Sequence, residues 1–65
     1  MNVLLNDMPR DLPEGATLAD AIALLAPKAP FAAAVNLEFV PRTGYAARVL
    51  QPGDRVEVIR PVTGG

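Results

Sequence analysis

A single short helix, closed at its end by proline, limits this chain to a small set of architectures. Leu18, Ala21, Ile22 and Leu25 fall at i, i+3, i+4 and i+7, one stripe of a helix. Thr17 suits the N-cap, because its hydroxyl can accept an orphan amide hydrogen of the first turn. Asp20 lies near the positive end of the helix dipole and Lys28 near the negative end. Pro27 and Pro30 stop the helix. No other segment carries so clear a helical period. A helix of about three turns covers one face of a sheet and no more. Strands must supply the rest, in a two-layer α+β domain whose other sheet face is open to solvent.

The strands are legible around it. Residues 1–6 are mostly apolar and end in Asn6-Asp7, a turn-prone pair, so they predict a strand that returns through residues 8–12. Pro9 lacks an amide donor, which places the returning strand at a sheet edge. Residues 31–36 predict a buried strand, and Asn36-Leu37-Glu38 a tight reversal into Phe39-Val40. In residues 43–50, Gly44 should begin a turn and 45–48 form a helical turn. Gln51-Pro52-Gly53-Asp54 reads as a type II turn, with Pro and Gly at the two central positions. Residues 55–60 follow as the best strand. Val56 and Val58 take one face, and Arg55, Glu57 and Ile59 the other. The first and last strands, rich in Val, Leu and Ile, are the natural central pair, and run parallel if joined through the helix. That arrangement is a ubiquitin-like β-grasp, a mixed sheet of four to five strands on one helix. We assign residues 1–60 to the domain and 61–65 to a flexible tail.

Composition narrows the function. The chain has 65 residues, half of them hydrophobic, enough for one core and no second domain. A chain this short leaves a thin stability margin. There is no cysteine and no histidine, so disulfides, thiol nucleophiles and the commonest general base and metal ligand are absent. The chain therefore performs no chemistry alone, and any reactive group on it must be activated by another protein. A net charge of −1 argues against a nucleic-acid binder. The charge is uneven: residues 1–38 hold two cations against five carboxylates, and residues 39–65 four arginines against two carboxylates. That is a solvated surface or a partner-docking patch. The longest apolar runs are too short to span a bilayer, and no basic-then-apolar leader opens the chain. A cytoplasmic protein, monomeric when alone, is the expectation.

The chain runs five residues past its last strand, Pro61-Val62-Thr63-Gly64-Gly65, a reach of about 16–18 Å when extended. A glycine pair has no side chains, so it can thread a narrow channel and adopt angles closed to other residues. Such a tail can carry its carboxylate into another enzyme's active site while the body docks outside. Adenylation by ATP would convert that carboxylate to an acyl donor. Attack by a sulfur nucleophile would then leave a thiocarboxylate.

Over essentially its whole length the sequence resembles the ThiS family, the sulfur carriers of thiamine biosynthesis. The matching features are Met1-Asn2-Val3 with Asn6, Ala34-Val35-Asn36, Val40-Pro41-Arg42 and the Tyr45 region. Gly53-Asp54-Arg55-Val56-Glu57-Val58 and the terminal Gly64-Gly65 complete them. The resemblance implies that an E1-like adenylyltransferase, using ATP and magnesium, adenylates Gly65. A persulfide donor (a cysteine desulfurase or rhodanese-type protein) then supplies sulfur, and thiazole synthase accepts it. The chain itself binds no cofactor and is a cosubstrate rather than an enzyme, with Gly65 carrying sulfur and Gly64 giving slimness. The sheet face away from the helix is the expected partner surface, with Ile59 on it, Val62 at the tail root, and Arg42, Arg55 and Arg60 able to meet acidic surfaces. Phe39 and Tyr45 read as core or minor-core residues. Three other readings share parts of this evidence: a sulfur carrier for molybdopterin, tRNA thiolation or a sulfur amino acid, a ubiquitin-like modifier, and an interaction module with an inert tail.

Overall fold

The computed structural model describes residues 1–60. Its element order is β1 (Asn2–Leu5), β2 (Met8–Asp11), α1 (Leu18–Leu25), β3 (Ala32–Val35), β4 (Glu38–Val40) and β5 (Arg55–Ile59), with a 3-10 turn at Arg42–Gly44 before β5. The sheet order is β2-β1-β5-β3-β4. β1 and β5 pair in parallel, and every other neighbouring pair is antiparallel. This is the ubiquitin-like β-grasp, with β5 at the centre, β1 beside it, and the Pro9-bearing β2 at one edge.

The helix forms where its stripe and cap predict. Thr17 is the N-cap: its Oγ1 accepts from the Asp20 N–H at 3.3 Å, and the Asp20 carboxylate accepts from the Thr17 N–H at 2.9 Å. This reciprocal pair satisfies two orphan donors. The helix ends one residue before Pro27, on Ala26 in left-handed conformation at φ 45°, whose N–H still donates to the Ile22 carbonyl.

Alternation along the strands fills the space beneath the helix. Val3 and Leu5 of β1, Ala33 and Val35 of β3, and Val56 of β5 are buried on one sheet face, against Leu18, Ala21 and Ile22 of α1. Leu12, Ala16 and Leu50 close the core from the connections. Met1, Leu25, Phe31, Val40, Tyr45 and Val58 pack around it.

Two expectations need correction. The strand predicted over 31–36 starts at Ala32, and only its alternate residues Ala33 and Val35 are buried, because the helix covers one face alone. After β4 the turn expected from Gly44 does form, following the 3-10 turn at Arg42–Gly44: the Gly44 carbonyl accepts from the Ala47 and Arg48 N–H groups at 3.2 and 3.0 Å. Phe39 is not a core residue: it is 68% exposed.

Candidate functional site

The face turned away from the helix is set by register. Phe39 of β4 stands opposite Ala34 of β3, which stands opposite Glu57 of β5. One row further along, Ala32 faces Ile59, and on the other side Arg55 faces Leu4, which faces Pro9. Residues paired across strands share a face. The open face therefore carries Phe39, Ala34, Ala32, Ile59 and Leu4 as its apolar content, with Arg55 and Glu57 among them. Ile59 is 57% exposed, and Leu37, in the β3–β4 turn at the opposite end of the sheet beside Arg55, is 79% exposed.

Two asparagines hold β5 in place. Asn6 follows β1 and continues its parallel pairing: its N–H donates to the Val56 carbonyl at 2.9 Å, and its Oδ1 accepts from the Val58 N–H at 2.8 Å. A side chain thus stands in for the next rung of a four-residue strand. Asn36 does the same across the other flank. Its N–H donates to the Arg55 carbonyl at 2.8 Å, and its Oδ1 accepts from the Arg55 N–H at 3.0 Å. Both asparagines have positive φ, 50° and 51°, in the first position of two-residue turns. Asparagine tolerates that conformation better than most residues.

Asp54 anchors the start of β5. Its side chain accepts from Asn36 Nδ2 at 3.0 Å and from the Gln51 N–H at 2.8 Å, which satisfies a carboxylate only 8% exposed. The turn is completed by the Asp54 N–H donating to the Gln51 carbonyl at 3.1 Å, and Gly53 supplies the required φ of +85°. Arg55, outside this cluster, pairs with Asp7 at 3.4 Å on an exposed surface, a contact worth little.

Ile59 ends β5 and Arg60 follows it, both exposed. Val62, Gly64 and Gly65, on which the tail expectation falls, lie outside the described residues. Among the described residues there is no group of three or more His, Cys, Asp or Glu side chains suited to a metal ion. What the described residues offer is a surface: a partly apolar sheet face, cations at its margin, and a central strand fixed at both ends. Ile59 stands on the open face that its strand parity predicts, whereas Phe39, read as core, stands there too. The signal was there, since a two-residue turn at Asn36-Leu37 puts Glu38 opposite Val35 and hence Phe39 opposite Ala34, off the core side.

A sequence model of the ThiS family matches residues 3–65. Among solved structures, a thiamine biosynthesis protein (ThiS) from Geobacter metallireducens is similar to this chain with a TM-score of 0.82 at 23% identity, over 100% of each chain. That likeness bears on the fold. No curated protein matches the chain.

Proposed function

The chain belongs to the ThiS family, and from that premise we propose that it carries sulfur for the thiazole of thiamine on its terminal residue, Gly65. The observation that carries the reading is the extent of the family match, which includes the open-face residues of β5 and runs through Gly64-Gly65. A Gly65 carboxylate oxygen attacks the α-phosphorus of ATP on an E1-like adenylyltransferase, with magnesium, and pyrophosphate leaves. The terminal sulfur of a persulfide donor then displaces AMP from the acyl-adenylate. A second thiol takes up the donor's remaining sulfur as a disulfide and frees the thiocarboxylate. Thiazole synthase receives that sulfur.

The chain's own part is passive and geometric. It has no cysteine or histidine with which to catalyse any of these steps. Gly64 adds no side chain to the segment that must enter a partner's channel. The open sheet face, with Ile59 and Phe39, docks on the partner. Arg60 precedes the tail in sequence, Val62 is the side chain of the tail that would meet the partner, and the arginines meet acidic partner groups. Fixing β5 through Asn6 and Asn36 keeps the origin of the tail at a constant position relative to that face.

Growth of a thiazole-requiring bacterial strain that lacks its own carrier tests this reading. The full chain should restore growth without added thiazole, and the chain lacking Gly65 should not. Equal rescue by both would contradict a role for Gly65. Failure of the full chain, expressed and folded, would contradict the thiamine assignment.

A further inference from the structure

A hollow of about 220 Å³ lies at one edge of the sheet, lined by Ala29, Pro30, Phe31, Phe39, Arg42 and Tyr45. Phe31 and Tyr45 stack in its wall, with ring centroids 6.2 Å apart and planes inclined by 19°. The hollow therefore gathers every aromatic residue of the chain and one cation. Small-molecule sites run to about 300–1,000 Å³, so this space suits a single large side chain rather than a cofactor.

Its position follows from the register. β5 ends at Ile59, opposite Ala32, and Ala33 stands opposite Val40. The residues flanking those pairs, Phe31 on one strand and Pro41-Arg42 after the other, therefore reach the same end of the sheet as Ile59 and Arg60. The hollow sits at the end from which the chain continues toward Gly65. Arg42 has no ion-pair partner among the described residues, where the charged pairs are Met1 with Asp11 and Arg55 with Asp7. Of the two carboxylates in the C-terminal stretch, Asp54 is occupied by Asn36 and Gln51, and Glu57 stands two strands away from Phe39. Among the described residues the charge at this end is positive and unmatched.

We propose that this hollow is an anchor site for the ATP-dependent enzyme that activates Gly65, receiving one leucine or aromatic side chain flanked by a carboxylate that pairs with Arg42. Aromatic and arginine side chains around a desolvated pocket are the composition of interface hot spots. The anchor adds a second point of contact beside the open sheet face and fixes the rotation of the carrier about the entering tail. This inference rests on the sulfur-carrier reading above.

The test is the adenylation rate of the full chain by its adenylyltransferase, read as ATP–pyrophosphate exchange against carrier concentration. Arg42→Ala and Phe39→Ala, both at exposed positions, should each raise KM for the carrier about tenfold and leave kcat within about twofold. Arg10→Ala, on the far edge strand β2, should change neither, and circular dichroism should show all three folded. An unchanged KM in the first two would overturn the anchor while leaving the carrier reading intact. The same holds for an equal rise in Arg10→Ala, which would mark a net-charge effect. Loss of self-association by sedimentation with KM unchanged would give the hollow to a second copy and overturn the proposal. No exchange with the unaltered chain would overturn the carrier reading and the anchor together.

Discussion

Asn36 donates its side-chain amide to the buried carboxylate of Asp54 at 3.0 Å, tying the β3–β4 hairpin to the turn that launches β5. The same amide's oxygen accepts from the Arg55 N–H at 3.0 Å. One side chain therefore joins segments 18 and 19 residues apart at the point where the central strand begins. Removing Asn36 leaves a carboxylate oxygen of the buried Asp54 without its partner, and removing Asp54 takes the side-chain acceptor from both Asn36 and the Gln51 N–H.

Asn36→Ala and Asp54→Ala should each destabilise the domain by about 1–3 kcal/mol in urea unfolding. The double variant should cost less than the sum of the two, by about 1 kcal/mol or more, since both lose one shared interaction. Strict additivity would mean that the contact contributes nothing as a pair.

At Leu37 the opposite sign is expected. It holds φ 70° in the second position of the hairpin turn, a conformation that glycine adopts freely and leucine does not. Leu37→Gly should stabilise the domain by roughly 1 kcal/mol, since strain relief outweighs the entropy glycine adds to the unfolded chain. Thermal unfolding checks this, and a lower Tm would contradict it.

Thr17→Ala removes the hydroxyl that accepts from Asp20 and breaks one half of the capping box. A cost of about 1 kcal/mol is expected, which for a domain of this size lowers Tm by about 4–8 °C. Thr17→Ser keeps the acceptor and should lose far less.

The Asn6 side chain makes a local prediction, since its Oδ1 stands in for a strand carbonyl at the Val58 N–H. Asn6→Ala should speed hydrogen exchange at Val58, near the end of β5 from which the tail continues, whereas Asn6→Asp keeps an acceptor oxygen and should protect it. Equal protection in both would show that the Val58 amide is satisfied in another way.

Most of this fold was readable from local signals of different physical kinds. The stripe from Leu18 to Leu25 and the Thr17 cap fixed the helix, Pro9 marked β2 as an edge, and the Pro52-Gly53 pair fixed the turn before β5. The parallel pairing of β1 and β5 followed from placing a single helix between them. Phe39 looks like core by hydrophobicity, and only the register of the two-residue turn at Asn36-Leu37 sets it opposite Ala34 on the open face. What could not be read was set at long range. Asn6 and Asn36 look like turn residues, and their second role as ladder partners of β5 depends on strands more than 18 residues away. The hollow beside Arg42 is likewise assembled from three separate segments, so no single stretch of sequence announces it. On the functional side the sequence shows directly that the chain has no cysteine or histidine, which is the premise of the role proposed for its terminal carboxylate.

Intact mass spectrometry tests the central claim most directly. The full chain is incubated with the E1-like adenylyltransferase, ATP, magnesium and a persulfide source, beside the chain lacking Gly65. The account predicts a mass increase equal to replacing one oxygen by sulfur, in the full chain only and lost when ATP is omitted. An unchanged mass, with the adenylyltransferase active on another carrier, would contradict it.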